Sequence, residues 1–464
     1  MISENVFEKL KKSREISKVD VGNHIFRGNQ LPDHSRNWLE LAGSDDQLFI
    51  EASRRHFKSR TFSVIYPLYR IIKDPEINIL IASKTISQAK KWLREIRSNL
   101  RESSPYSFLK PDQPEKWTEN EIIVDRVDAS ADPTVSTTGV GKEILGSGAD
   151  LVICDDIVSK RNSHTKQQRD KLEDWFYSEL FPMIEGDGEI ITVGTPWHKE
   201  DLYALLREDP SWKHYKFPAE EPDDPEPYHS NFYNNPDNVL WFPKWNKDAL
   251  QEKRKKMGTN YYAMSFLLDL TEVEGGIIDP DWIEWFGSLP EEENFSYMMG
   301  VDPSIGETDE SDFTGIVTVA RSKESGKIYV VDADQGRWRS QERIEKIKEK
   351  YQRFPISKIA IEDVSVTKDF IDMLRRDTML PIDPISPGGK DKVARLETIS
   401  PRIENADIIF NLSLKRSKVP FYDQLIEFPQ GSYDDLVDAF VYAVWEFVED
   451  VGDGIFELFR GDIR

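Results

Sequence analysis

The strongest constraint on the fold is a series of apolar runs that end on polar residues and alternate with helical patterns. Leu48–Ile50, Ile77–Ser83, Ala149–Ile153 and Glu189–Val193 read as buried strands. Between two of them, TISQAKKWLREIRSNL places Ile86, Ala89, Leu93 and Ile96 at helical spacing. Strand alternating with helix argues for a parallel, doubly wound sheet. The expected class is α/β.

The first of these strands runs into ASRRHFKSRT. A lysine followed by a hydroxyl residue at a strand-to-helix turn is the chemistry of a phosphate-binding loop. Backbone N–H groups cradle the phosphates, the lysine reaches the β/γ phosphates and the hydroxyl ligates Mg²⁺. The residues are Ser53, Arg54, Arg55, His56, Phe57, Lys58 and Ser59, with Lys58 and Ser59 in the two key positions. The usual pattern has two glycines and this loop has none, so a basic surface turn is the bland alternative. Gln30, upstream, stands where some ATPases place an adenine-reading glutamine; a solvated surface residue is the plainer reading.

Two more strand ends carry chemistry. Ala149–Ile153 leads into Asp155 and Asp156, the arrangement in which one acid holds Mg²⁺ and the next orients the attacking water. Gly188 reads as the turn before the strand Glu189–Val193, whose end presents Thr195, a hydroxyl able to sense the γ-phosphate.

The formal net charge is -23. Such a chain does not coat DNA passively. A nucleic-acid site must be a local basic patch or use metal ions held by carboxylates. The densest basic run is Lys253–Lys256, on a helical pattern over 246–272. The single cysteine, Cys154, excludes an internal disulfide and fits a reducing compartment. No apolar run approaches the length needed to span a bilayer, and the polar N-terminus lacks the apolar core of a signal peptide.

Residues 218–245 are rich in Pro, Asp and Asn and read as a linker or an extended wrap. Beyond Pro280 the pattern changes to consecutive strands with short loops, which implies hairpins and a mixed sheet. Asp302 and Glu362 end two of these strands. Asp434, Asp435 and Asp438 open the final helix, 434 and 438 on one face. Clustered acids repel unless a cation sits among them. Two Mg²⁺ or Mn²⁺ ions would answer that charge and support in-line phosphodiester hydrolysis. Strand acid, strand acid, helix acid is the logic of a ribonuclease-H-like nuclease. Helix capping by Asp434 and Asp435 is the compatible structural alternative.

From Trp38 to Trp445 the chain resembles the large terminase subunit of tailed viruses. ASRRHFKSRT is similar to that family's variant phosphate loop and GSGADLVICDD to its Walker B region. ITVGTPWHKEDLY resembles its coupling motif, and GVDPS, AIEDVS and SYDDLVDAFVYA resemble its three nuclease motifs. PGGKDKVARLETISPRIENADIIF resembles the basic element and strand between the second and third acids. The resemblance implies a P-loop ATPase domain with a mostly parallel sheet over 1–225, a linker or lid over 226–279 and a ribonuclease-H-like nuclease domain over 280–464. It implies ATP with Mg²⁺ at the first site and two divalent ions at the second, held by Asp302, Glu362, Asp434, Asp435 and Asp438. Arg54 then neutralises charge on the γ-phosphate, Asp155 and Ser59 hold Mg²⁺, Asp156 activates water and Thr195 couples hydrolysis to movement. Phe57 and Arg55 depart from the family's small residues, and Asp156 from its usual Glu.

The implied activity is ATP-driven translocation of double-stranded DNA into a procapsid, with endonuclease cutting, in the host cytoplasm. The implied partners are a portal protein, a small terminase subunit and four further copies in a pentameric ring. A helicase or repair nuclease sharing both folds, and an adaptor with a decayed phosphate loop, are the competing readings.

Overall fold

The computed structural model describes residues 15–26, 31–101, 104–113, 115–127, 132–144, 148–223, 232–270, 276–303, 313–364, 367–386, 392–415, 417–445 and 447. Gln30 and the first part of the basic element, residues 387–391, lie outside them, as does the N-terminal lead-in before residue 15.

The chain divides into two compact units, Met1–Gln251 with Tyr261–Thr271, and Glu252–Asn260 with Glu272–Arg464. The first is built on β1 (Gln47–Ala52), β2 (Ile79–Ser83), β3 (Glu121–Ile122), β4 (Val135–Gly139), β5 (Ala149–Asp155), β6 (Ile184–Gly194) and β7 (Lys213–Phe217). Their order is β3-β4-β2-β5-β6-β1-β7, and every neighbouring pair runs parallel except β3 with β4. Central parallel strands are covered on both faces, so they read as continuous apolar runs. In β1, Leu48 and Ile50 enter one core cluster while Phe49 enters another, the alternation a strand imposes. The register Glu51↔Gly194 and Asp155↔Val193 brings the carboxyl ends of β1, β6 and β5 side by side.

Three boundaries differ from the sequence reading. Gly188 lies inside β6, not at a turn before it. A Cβ there would meet the carbonyls of Glu185 and Ala149, so the glycine answers a close backbone approach. The expected helix over 246–272 stops at Met257. Gly258 follows at φ +79, a common helix terminator, and shorter helical pieces resume at Thr259–Tyr262 and Ala263–Leu267. Residues 232–251 belong to the first unit, and Tyr233 and Leu240 are part of its core.

The second unit holds β8 (Trp285–Phe286), β9 (Phe295–Asp302), β10 (Thr314–Ser322), β11 (Ile328–Gly336), β12 (Ile356–Glu362), β13 (Ile382–Ile385) and β14 (Ile408–Asn411). Their order is β13-β12-β9-β10-β11-β14-β8. β9, β10 and β11 form an antiparallel meander, while the remaining neighbours are parallel. This is the expected mixed sheet. A helix over 435–445 lies on β9 and β10. Added Cβ atoms at Gly300 and Gly315 would strike the backbone of Ala439 and of Asp435. The two glycines therefore set how closely this helix seats.

Candidate functional site

The first site begins where residues 53–57 carry the chain from β1 into a helical run starting at Lys58. One π turn, Thr61–Ile65, precedes Tyr66–Lys73. It lies just ahead of Pro67, which has no N–H to give to an α ladder. Arg55 and Phe57 sit at φ 62 and 75, a left-handed conformation that costs a non-glycine residue about 1–2 kcal/mol.

Local contacts hold this strain. The Phe57 ring packs on Phe26 with centroids 4.4 Å apart, and the Arg60 guanidinium lies 5.2 Å from its centre. The Arg55 carbonyl accepts from Lys244 Nζ at 3.3 Å and from Trp245 Nε1 at 3.4 Å. His56 is buried, with Nδ1 2.8 Å from both Ser53 Oγ and the Arg54 carbonyl. His34 Nε2 donates to the His56 carbonyl at 2.7 Å. Burial pushes both imidazoles down, His34 to about 4, so both are neutral at pH 7.

The predicted residues of three strand ends meet at Lys58. Its side chain is only 5% exposed. Nζ donates to Thr195 Oγ1 at 2.8 Å and lies 3.5 Å from Asp156 Oδ1. Thr195 Oγ1 donates to the Ala52 carbonyl at 3.1 Å, tying the end of β6 to the end of β1. Asp155 is buried. Its Oδ2 accepts from Trp92 Nε1 at 2.6 Å, the Ser59 hydroxyl hydrogen-bonds to the carboxylate, and Oδ1 has no protein partner. Burial, and secondarily the neighbouring Asp156, push Asp155 up to about 7. An orphaned carboxylate oxygen beside a hydroxyl is an oxygen donor set that suits Mg²⁺.

Asp156 stands at φ 48, and its N–H donates to the Val193 carbonyl at 2.9 Å. The Arg54 guanidinium stacks 4.2 Å from the centre of Trp197. Trp197 thus links the expected phosphate-loop arginine to the segment after Thr195. The helix Leu202–Glu208 begins just beyond. Its cap is buried Asp201, which accepts from the N–H groups of Trp197, His198 and Ala204.

The second site gathers Asp302, Asp434, Asp435 and Asp438. Asp302 ends β9. Burial, and next the charge of Asp438, hold its carboxyl well above the usual range. Burial also pushes Asp438 up to about 6 although Lys392 opposes the shift. Lys392 Nζ contacts Asp434 Oδ2 at 2.7 Å and Asp438 Oδ2 at 2.5 Å. Asp435 Oδ2 accepts from Gln335 Nε2 at 3.2 Å. Gln424 Oε1 in turn accepts from the Leu436 N–H at 3.0 Å, fixing the start of the helix.

Glu362 ends β12, the parallel neighbour of β9. It is engaged differently: Arg395 Nη2 donates to Oε1 and Tyr442 Oη to Oε2 at 2.6 Å. Burial alone would raise its pKa, but these two hydrogen bonds outweigh it and hold the carboxylate below its usual range. Among the described residues no three His, Cys, Asp or Glu side chains are grouped to hold a metal ion together. The cation at Asp434 and Asp438 is an ammonium. In this structure Asp434 and Asp438 are closed around the Lys392 ammonium.

Trp92, His34, Trp245, Lys392, Arg395 and Tyr442 all touch site residues, and sequence reasoning assigned none of them a role. For Lys392 and Arg395 a signal existed: both lie in the basic stretch between the second and third acids.

Residues 299–447 match the model of the terminase RNaseH-like domain. Over 185 residues, 39% of this chain, the sequence is 27% identical to the terminase large subunit of Enterobacteria phage T3, and the match spans 31% of that relative. The fold is similar to the large terminase of a thermophilic bacteriophage in complex with ATP-gamma-S. That likeness has a TM-score of 0.49 and 13% identity, and covers 89% of this chain and 98% of the other. It is also similar to the large terminase nuclease of thermophilic phage G20c with bound magnesium, with a TM-score of 0.28 and 10% identity over 37% of this chain and 98% of the other. The chain is thus similar to large terminase subunits of phages, and its residues 299–447 match the terminase RNaseH-like domain family.

Proposed function

We propose that this protein is a viral DNA-packaging motor: ATP hydrolysis in the first unit drives double-stranded DNA into a procapsid, and the second unit cuts it. The observation that carries the reading is the meeting of Lys58, Thr195, Asp155 and Asp156 at the carboxyl ends of adjacent strands. Phosphoryl transfer asks a protein mainly for positioning and charge. Lys58 supplies a nearly desolvated positive charge for the β/γ phosphates. The N–H groups of the loop from Ser53 to Ser59 cradle them. Arg54, held on Trp197, neutralises charge developing on the γ-phosphate.

Ser59 and Asp155 would hold Mg²⁺, which would neutralise the phosphate oxygens. Asp156, set by its left-handed backbone, orients the attacking water. Thr195 shares a hydrogen bond with Lys58, so loss of the γ-phosphate reaches the end of β6. In the second unit Asp302, Glu362, Asp434, Asp435 and Asp438 are the residues that would hold divalent ions. Such ions stabilise the attacking and leaving oxygens of phosphodiester hydrolysis. The portal protein, a small terminase subunit and a pentameric ring in the host cytoplasm complete this reading.

Paired variants test it. Lys58→Ala is expected to abolish ATP hydrolysis and DNA uptake into procapsids while sparing cleavage. Asp302→Ala is expected to abolish cleavage while sparing ATP hydrolysis. Wild-type turnover of ATP by Lys58→Ala would sink the motor assignment. DNA cleavage at the normal rate by Asp302→Ala would sink the nuclease assignment.

A further inference from the structure

We propose that Lys392 is an internal competitor for the divalent cation of the nuclease site. This inference rests on the nuclease reading above. The Lys392 ammonium touches Asp434 at 2.7 Å and Asp438 at 2.5 Å. Asp438 is almost fully buried, and it is the strongest charged neighbour of Asp302. The ammonium therefore answers the repulsion that a metal would otherwise answer. One carboxylate oxygen cannot give its full charge to a compact ammonium and to a divalent ion in the same place.

The geometry supports displacement. Lys392 begins the helix Lys392–Glu404 and its side chain is about half exposed, whereas Asp438 is fixed on the helix over 435–445. A four-carbon stem at a helix start can swing toward solvent without moving either backbone. Arg395, one turn along the same helix, is held differently. It is only 9% exposed, and its guanidinium binds Glu362 and lies 3.4 Å from Tyr442 Oη. The same helix thus presents a fixed cation to the second acid and a movable one to the helix acids.

The consequence is a threshold. The apparent Kd of the metal is its intrinsic Kd divided by the fraction of protein whose site is open. If the ammonium fills the site about nine-tenths of the time, removing it tightens metal binding about tenfold. The nuclease site would then need about tenfold more metal to load than it would without the ammonium.

The test uses Mn²⁺ and the full-length chain carrying Asp155→Asn, so that the first unit contributes no metal binding. Calorimetric titration of Lys392→Met is expected to show about tenfold tighter Mn²⁺ binding than the same chain with Lys392. Lys392→Arg, which keeps a cation, is expected to stay near the weaker value. Adding Asp438→Asn to Lys392→Met should remove the tight binding. A second measurement needs no substitution at Lys392. Amine-reactive labelling read by mass spectrometry should show Lys392 becoming several-fold more reactive when Mn²⁺ is added. Equal Mn²⁺ affinity with Lys392 and with Met overturns the competitor role and leaves the nuclease reading standing. Unchanged Lys392 labelling at saturating Mn²⁺ does the same. Mn²⁺ binding that survives Asp302→Asn and Asp438→Asn together overturns the metal-site reading itself.

Discussion

The loop from Ser53 to Ser59 holds a backbone shape that glycine would adopt more easily. Arg55 and Phe57 hold left-handed backbone without glycine, and Phe26, Lys244 and Trp245 supply the compensating contacts. Arg55→Gly removes strain of about 1–2 kcal/mol but adds freedom to the unfolded chain worth about 0.4–1 kcal/mol. Its stability by denaturant titration is expected within about 1 kcal/mol of wild type, with ATP hydrolysis retained. Arg55→Val, β-branched at the same φ, is expected to lose about 2 kcal/mol. Equal stability of the two variants would mean that the loop relaxes and carries no strain.

The buried histidines give a pH signature. The folded-state pKa of His34 is depressed to about 4, against about 6.5 unfolded. Stability from a depressed group is present above the unfolded value and is lost as pH falls through the folded one. Between about pH 6.5 and 4 His34 alone therefore costs up to about 3 kcal/mol, since each pKa unit is about 1.4 kcal/mol. The melting temperature of His34→Gln is expected to fall less steeply than that of wild type over this window. Parallel curves would place the acid sensitivity elsewhere. At this scale the positions of Lys58, Ser59, Asp155, Asp156, Thr195 and Asp302 at element ends were legible, because the chemistry proposed for them demands a residue type there. His34 and Trp92 were not, because their roles arise from packing between segments distant in sequence.

Among the elements, the helix over 435–445 decides whether the second site exists. Its carboxylates reach the end of β9 only because Gly300 and Gly315 let its backbone lie against the sheet. A methyl group at Gly300 would collide with backbone, which cannot rotate away as a side chain can. Overpacking usually costs about 1–3 kcal/mol, and a rigid collision falls at the top of that range or above. Gly300→Ala is expected to lose about 3 kcal/mol or more and to reduce DNA cleavage sharply. Gly326 is the control. It lies at φ +73 with nothing within 4 Å of an added Cβ, so Gly326→Ala should cost about 1 kcal/mol and spare cleavage. If the two variants melt together, the helix does not rest on β9 as described. The strands of this unit were readable from apolar patterning, and the meander from short loops. The two glycines were not, because a pattern of apolar residues does not reveal which helix crosses which strand.

For the whole molecule, the informative stretch is the one between the two sheets. Composition marked residues 218–245 as a linker or an extended wrap, because Pro, Asp and Asn signal irregular backbone. Composition is blind to Tyr233 and Leu240 joining the first core, and to the segment Glu252–Asn260 clustering with the second unit. That segment is anchored. The Thr259 N–H donates to Glu404 Oε2 at 2.8 Å, its hydroxyl bonds the same carboxylate, and Asn405 Nδ2 donates to the Lys255 carbonyl at 2.8 Å. We therefore propose that Glu252–Asn260 is part of the nuclease domain, ahead of its continuous stretch from Glu272. A fragment starting at Asn246 retains all three bonds, whereas one starting at Gly276 loses them and leaves Glu404 without its Thr259 partner. Net hydrogen bonds are worth about 0.5–1.5 kcal/mol each, and those to a charged group somewhat more. The longer fragment is expected to be more stable by about 2–4 kcal/mol in denaturant titrations. Both fragments are expected to cut DNA with Mn²⁺ and without ATP, because Asp302, Glu362 and the acids of the last helix lie in each. Equal stability would show that Glu252–Asn260 adds nothing to the second unit, and would return the boundary to the stretch just before Pro280.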